Sequence, residues 1–158
     1  MKFIPAITML ALGLATSTFA ADADTKIQPR ADERYAGETT EVPSFRKHMV
    51  PLMGKLGCNG RACHGSFQGQ GGFQLSLFGY DFKMDHENLT AGDEPRVDPT
   101  FAENSLAILK PTLEMPHRGG KRMDEDSWEY NVFVRWIESG AKNVAEDHAD
   151  FVGLEITP

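Results

Sequence analysis

The stretch that decides the fold contains both cysteines of the chain and reads Cys58-Asn59-Gly60-Arg61-Ala62-Cys63-His64. A cysteine, then a second cysteine with a histidine directly after it, is the order that covalent haem attachment requires. Two thiols form thioether bonds to the porphyrin, and the neighbouring imidazole binds the iron. The motif therefore predicts haem attachment at Cys58 and Cys63, with His64 as the proximal axial ligand.

The spacing of the two cysteines departs from the usual motif, because four residues separate them instead of two. On a regular helix, residues five apart differ by about 140° and point in different directions. Cys58 and Cys63 can share one haem only if the chain bulges between them, and Gly60 permits such a bulge. Two alternatives stay open on these residues: a disulfide between the cysteines, and a zinc site that adds His64 and His117.

A second ligand to the iron would come from a non-helical segment elsewhere in the chain. The segment 115–117 reads Met-Pro-His and lies between two predicted helices. Residues two apart on an extended chain point to the same side, so Met115 and His117 could each face the iron, and one of them would bind it. Met123 is a more distant candidate, because a core position at the start of a helix explains it better.

The chain divides into four parts. Residues 1–20 have a basic start, an apolar run and small residues before Ala20, which predicts a signal peptide and export to the periplasm or another extracytoplasmic space. Residues 21–42 are polar and charged, and we expect a disordered or loosely docked leader. Residues 43–142 form the predicted domain. Residues 143–158 are expected to be a tail or a linker to a further domain, with a strand-like start at Leu154.

The predicted domain is mostly α, with about three main helices. These cover Phe45 to Leu56 with a kink at Pro51, about 102 to 109 before Lys110-Pro111, and Asp124 to Gly140. The glycine-rich residues 65–81 are expected to be partly extended at 73–77. Residues 82–100 are polar and contain Pro95 and Pro99, and no helix is assigned to them. Five aromatic residues are candidates for the envelope of the haem or the core: Phe67, Phe73, Phe78, Trp128 and Trp136.

The charge of the chain limits its partners. The formal net charge is −7 and no basic stripe is present, so nucleic-acid binding is not expected. No apolar run after the signal peptide is long enough for a membrane span. The sequence leaves the oligomeric state open.

With these motifs in hand, the chain resembles the class I cytochrome c domains. It is most similar to the cytochrome c-like domains of large exported planctomycete-type proteins, which use the four-residue spacing. The matching stretches, spread from Val42 to Ala141, are Gly57 to Asn59, Ala62 to Gly65, Gly72-Phe73, Leu75 to Asp81, Lys110 to Thr112, Pro116-His117, Gly119-Gly120 and Arg135 to Ala141.

The resemblance implies one covalent haem c at Cys58 and Cys63 and a proximal His64. In class I cytochromes generally, the distal ligand is the methionine matching Met115. In the closer group, the histidine matching His117 is the more regular feature, and we favour it while keeping both candidates.

The function expected from the motif and the resemblance is that of an exported monohaem electron carrier. It would carry single electrons to and from redox partner proteins, alone or as the electron-entry module of a larger protein, and would not itself be an enzyme. Two alternatives come from other classes: a non-haem binding module held by a disulfide, and a haem-based sensor or enzyme with an open iron site.

Overall fold

The computed structural model describes residues 28–143 together with Gly153 and Ile156. In this part of the chain the structure is mostly helical and contains no β-strand, which confirms the predicted α class. None of the helices described is both long and apolar enough to cross a bilayer. The predicted signal peptide lies outside the described residues, as does nearly all of the predicted tail. The helices are α1 (Ala31–Arg34), α2 (Val50–Lys55), α3 (Phe82–Thr90), α4 (Leu106–Thr112) and α5 (Trp128–Glu138).

The first predicted helix forms, with a change of helix type near its proline. Residues Phe45–Met49 make a π-helical turn that continues directly into α2. The Ser44 hydroxyl accepts a hydrogen bond from the Lys47 N–H at 3.4 Å and caps the start. Pro51 cannot donate a backbone hydrogen bond, and the wider π turn before it relieves the crowding that a proline causes in a regular helix.

The end of α2 places the first cysteine. Gly57 has a φ of +79°, the left-handed conformation that glycine adopts without steric cost. The Cys58 N–H then donates to the Met53 carbonyl at 2.8 Å, and the Gly57 N–H donates to the Gly54 carbonyl at 3.1 Å. These two bonds form a Schellman-type cap. Gly57 therefore ends the helix as predicted and turns Cys58 into the loop that follows.

The core lies between α5 and the helical stretch 45–55. Trp136 and Phe45 are fully buried, and their ring centroids are 5.3 Å apart. The Ser127 hydroxyl caps α5 by accepting from the Tyr130 N–H at 3.2 Å, and Gly140, with a φ of +94°, follows its last turn. The helix thus ends as predicted but begins at Trp128, because Asp126 has a φ of +61° that a helix cannot contain.

Helix α4 runs further than predicted. The expected stop at Lys110-Pro111 is wrong, because Pro111 lies inside the helix and Leu113 ends it with a φ of +69°. The proline costs this short helix one hydrogen bond. Burial of Ile108 and Pro111 holds the last turn, and the Thr112 hydroxyl donates back to the Ile108 carbonyl at 2.9 Å.

Helix α3 lies in the polar stretch 82–100, to which the sequence pattern assigned no helix. Asp81 caps it by accepting from the Met84 N–H at 3.0 Å. Its apolar face is narrow, with Leu89 as its one buried hydrophobic side chain. The other fully buried side chain of α3 is Asp85, which accepts hydrogen bonds from the N–H and the hydroxyl of Ser76. Hydrogen bonds between a buried polar side chain and a neighbouring segment do not produce a periodic pattern of hydrophobic residues, so the sequence did not reveal this helix.

The predicted extended piece 73–77 is extended only over residues 73–76 and does not form a strand, because Leu77 begins a 3-10 helical turn that runs to Gly79. Its one ladder contact is the bridge between Phe73 and Gln70, with N–H to carbonyl distances of 3.1 and 3.2 Å.

The leader at residues 21–42, predicted to be disordered or loosely docked, is docked in the part that the structure describes. From residue 28 onward it has a described structure, and Tyr35, directly after α1, is fully buried. Asn131 of α5 donates to the Tyr35 carbonyl at 2.8 Å, and Arg135 donates to the Thr39 carbonyl at 2.6 Å. The leader therefore packs on α5 through one aromatic anchor and backbone hydrogen bonds.

We predict that Tyr35→Ala destabilises the protein by about 3 kcal/mol, since it empties a fully buried aromatic site. Tyr80→Ala is the matched control, because that tyrosine is 77% exposed and should change stability by about 0.5 kcal/mol or less. Urea unfolding followed by circular dichroism measures both. Equal effects of the two substitutions would show that the leader does not contribute to the folded core.

The pH dependence of stability provides a second prediction. Burial, together with the nearby Asp81, raises the pKa of Asp85 above its ordinary value, although the two hydrogen bonds from Ser76 work against this. The folded state then holds the proton more tightly than the unfolded state. Stability from this group is greatest below the ordinary carboxyl pKa and is lost as pH rises through the raised pKa.

Asp85→Asn should therefore make the unfolding free energy fall less between about pH 4 and pH 7 than it does in the wild type. The control is Glu87→Gln on the same helix, where the carboxylate is exposed and pairs with Lys83 at 3.8 Å. Urea titrations across this pH range measure both slopes. If the unfolding free energy of Asp85→Asn changed with pH as it does in the wild type, the raised pKa of Asp85 would be contradicted.

Candidate functional site

A cavity of about 900 Å³ lies beside the loop that carries the cysteines and His64. This volume is at the upper end of the range of about 300–1,000 Å³ that small-molecule and cofactor sites occupy. Its walls come from the loop after α2, the glycine-rich segment, α4 and the loop after α4. The apolar side chains of the lining are Met53, Ala62, Phe73, Leu75, Leu89, Leu106, Ala107, Pro111, Pro116 and Phe133.

The loop 58–64 folds back on itself. The His64 N–H donates to the Cys58 carbonyl at 2.9 Å, and the Cys63 N–H donates to the Gly60 carbonyl at 3.0 Å. These bonds close the six-residue step from the first cysteine to the histidine. A compact loop of turns therefore replaces the helix that the common spacing would allow, and the bulge predicted between the cysteines is present.

Two buried groups fix this loop to its surroundings. Asn59 is almost fully buried, and its carbonyl accepts from the Phe78 N–H at 3.1 Å. Gly65 lies so close that a Cβ there would be 2.1 Å from the Asn59 carbonyl oxygen. Only a glycine allows the chain to leave His64 along this path.

Both cysteines are free thiols in the structure, and both line the cavity. Burial raises the pKa of Cys58 to about 11, although the guanidinium of Arg122 acts in the opposite direction. An Arg122 nitrogen lies 4.0 Å from the Cys63 sulfur. The loop therefore presents two thiols to one cavity, and the structure does not contain the disulfide of the alternative interpretation.

His64 lines the cavity, and a contact with the backbone determines which of its ring nitrogens carries the proton. Its Nδ1 lies 3.1 Å from the Phe73 carbonyl oxygen, which can only accept, so Nδ1 is the donor. The lone pair of the neutral ring is then on Nε2. Burial lowers the pKa of His64, and the neighbouring His117 adds to this. A neutral imidazole with its Nδ1 held by a carbonyl is the usual arrangement of a metal-binding histidine.

His117, on the loop after α4, also has its Nδ1 held by a backbone carbonyl. Its Nδ1 donates to the Gly120 carbonyl at 2.9 Å. Gly119 packs against the ring, since a Cβ there would lie 2.7 Å from the His117 Cε1. The rings of His64 and His117 are nearly parallel, with an angle of 9° between their planes and 6.3 Å between their centroids.

The structure separates the two candidates for the distal position. Met115 does not line the cavity, its side chain is 37% exposed, and its N–H donates to the Leu109 carbonyl at 2.9 Å. His117 lines the cavity beside His64. Met123 is buried in the hydrophobic core and does not line the cavity either. Of the three candidates from the sequence, only His117 is brought together with the motif.

The predicted aromatic envelope is correct only in part. Phe73 lines the cavity, and Trp136 belongs to the core. Trp128 packs at the edge of the core. Phe67 and Phe78 are 94% and 77% exposed and so do not enclose anything within the described residues. The turns on which they lie are fixed by glycines, which position the backbone and leave these rings outside.

Four basic side chains of the cavity were not identified from the sequence. They are Arg96, Lys110, Arg118 and Arg122. Among the described residues of the lining there is no aspartate or glutamate, although the whole chain has a net charge of −7. These cations are spread over 27 positions without a period, so only the fold could show that they share a cavity.

The zinc alternative is not supported by the arrangement of donors. In the part of the chain that the structure describes, no three side chains of His, Cys, Asp or Glu come together as a metal site. A tetrahedral zinc site needs four such ligands, or three and a water.

Comparisons with known proteins add no relative: no family model matches this chain, and no curated protein or solved structure matches it.

We predict that Gly65→Ala destabilises the protein by about 2 kcal/mol, because the new Cβ would clash with the Asn59 carbonyl oxygen at 2.1 Å. Gly37→Ala is the matched control, since nothing lies within 4 Å of its Cβ position. Thermal unfolding measures both variants. A Gly65→Ala protein as stable as the control would show that the loop 58–64 can follow another path.

Proposed function

We propose that this chain is an exported c-type cytochrome domain that carries single electrons on one covalent haem. Cys58 and Cys63 would hold the porphyrin, His64 would be the proximal ligand and His117 the distal ligand. The observation that carries the proposal is the pair of nearly parallel imidazoles in one cavity, each with its Nδ1 held by a backbone carbonyl.

The separation of the two rings fits a single metal ion between them. Imidazoles bound to one metal from opposite sides, through bonds of about 2 Å, have ring centroids about 6 Å apart. The centroids of His64 and His117 are 6.3 Å apart. Offset aromatic pairs also occur at this distance, so the spacing agrees with a shared ligand without requiring one.

The lining of the cavity fits a large, flat, apolar group with anionic substituents. Its walls are mainly hydrophobic, and its charged members are all basic. Haem has this chemistry, since its macrocycle is apolar and its two propionates are carboxylates. Arg96, Lys110, Arg118 and Arg122 would supply the cations for those carboxylates, since a guanidinium group can bind a carboxylate through two hydrogen bonds.

When bound, the haem iron takes up and releases one electron. The residues of the chain control how readily this happens. Two imidazole ligands favour a lower potential than a methionine ligand would, because thioether sulfur stabilises reduced iron. The basic lining opposes this by stabilising negative charge, and the apolar walls keep water away. If His64 and His117 both bound the iron, no position would be left for an added ligand, and the site would favour electron transfer over ligand binding.

Export is part of the proposal, since haem c attachment takes place outside the cytoplasm. The predicted signal peptide at residues 1–20 supplies the route, and the free thiols of Cys58 and Cys63 supply the reacting groups. Redox proteins of the same compartment would be its partners.

The test is a spectrum of the protein matured in a host that attaches haem c. We expect a low-spin, six-coordinate spectrum, haem that stays with the polypeptide in acid-acetone, and the added porphyrin mass. Because the two imidazole planes are nearly parallel, the ferric electron paramagnetic resonance signal should be rhombic. A protein without attached haem, with its thiols joined to each other, would overturn the proposal.

The distal ligand has its own matched pair of variants. We predict that His117→Ala abolishes the six-coordinate spectrum, whereas Met115→Ala leaves it unchanged, because Met115 lies outside the cavity lining. Visible and near-infrared spectra distinguish the two results. A near-infrared band from methionine–iron bonding in the wild type would assign the position to Met115, and a high-spin wild type that readily takes added ligand would support the sensor or enzyme alternative.

A further inference from the structure

Three contacts tie His64 to the segment 73–76. Its Nδ1 donates to the Phe73 carbonyl at 3.1 Å, and its own carbonyl accepts from the Leu75 N–H at 2.8 Å. The Phe73 ring also lies against the imidazole, with centroids 4.8 Å apart. The ring and the backbone of His64 therefore both depend on where this segment lies.

The segment 73–76 is held in turn by α3. The side-chain amide of Asn88 donates to the Gln74 carbonyl at 3.0 Å. Asp85 accepts hydrogen bonds from the N–H of Ser76 and, at 2.8 Å, from its hydroxyl. Residues three apart lie on one face of a helix, so Asp85 and Asn88 reach the segment together from consecutive turns.

The fold keeps this contact at a cost. Asp85 is fully buried, and within the described residues its hydrogen bonds come from Ser76 alone, with no cation among them. Burying a carboxyl group without a counter-charge is unfavourable. Buried carboxyl groups without a counter-charge are rare in stable folds, and exceptions of this kind are expected at functional sites.

We propose that Asp85 and Asn88 are positioning residues that fix the hydrogen bond between His64 and the Phe73 carbonyl. This inference rests on the proposed function, in which His64 binds the haem iron. A carbonyl that accepts the Nδ1 proton makes the imidazole a stronger donor to the metal. A stronger donor stabilises the oxidised iron and lowers the reduction potential. Helix α3 would thus set the potential through a segment that touches the ligand.

The experiment uses the full haem-loaded protein and the variant Asn88→Ala, which removes no charge. We expect the midpoint potential to rise by up to about 59 mV. For one electron, this corresponds to a tenfold change in the equilibrium constant for reduction. Asp85→Asn should act in the same direction. The control Glu87→Gln removes an exposed carboxylate from the same helix and accounts for the effect of charge alone.

A second measurement separates positioning from general loosening of the protein. Hydrogen exchange of the two imidazole Nδ1 protons is followed by nuclear magnetic resonance of the ferric protein. In Asn88→Ala we expect faster exchange at His64 and at the Leu75 amide. His117 should be unchanged, because its Nδ1 proton is held by Gly120 and not by the segment 73–76.

The outcomes distinguish this inference from the function on which it rests. A wild-type protein without haem would overturn both. Attached haem with an unchanged potential in Asn88→Ala, or with equal exchange changes at His64 and His117, would overturn the positioning role alone. A rise in potential that Glu87→Gln reproduces in full would also overturn it.

Discussion

The hydrogen bond from the His64 N–H to the Cys58 carbonyl, 2.9 Å long, is the constraint on which the site depends. It closes a loop that begins at the Schellman-type cap of α2, so the position of the helix end sets the position of both thiols and the imidazole. The absence of a side chain at Gly65 lets the chain leave this loop against the backbone of Asn59. The wide spacing of the cysteines is thus accommodated by turns that a helix could not provide.

Charge separates the cavity from the rest of the molecule. The chain as a whole is acidic, yet the charged side chains of the described lining are all basic. Arg118 and Arg122 lie at the exposed edge of the cavity, and Arg96 also pairs with Glu94 at 3.6 Å. Under the proposed function, an anionic and mostly apolar group such as haem would bring carboxylates to these cations, and the thiols and imidazoles would define where it attaches.

The sequence predicted the features that depend on local chemistry. Glycines with positive φ ended α2 and α5 where expected, and the motif indicated the loop that borders the cavity. Features that depend on distant contacts were missed or misplaced. Helix α3 has a single buried hydrophobic residue, so it lacks a periodic pattern. The docked leader depends on Tyr35 meeting α5, and the basic lining on side chains far apart in sequence.

The two histidines of the cavity are held in place by different parts of the fold. His117 is held within its own loop, through Gly120 and the space left by Gly119. His64 is held by the segment 73–76, which α3 anchors through two side chains. Under the proposed function, a ligand supported by its own short loop could move without disturbing the core, whereas a ligand supported by a helix through a buried carboxyl could not. The fold as a whole would then constrain the iron on the His64 side, and a local change would act on the His117 side.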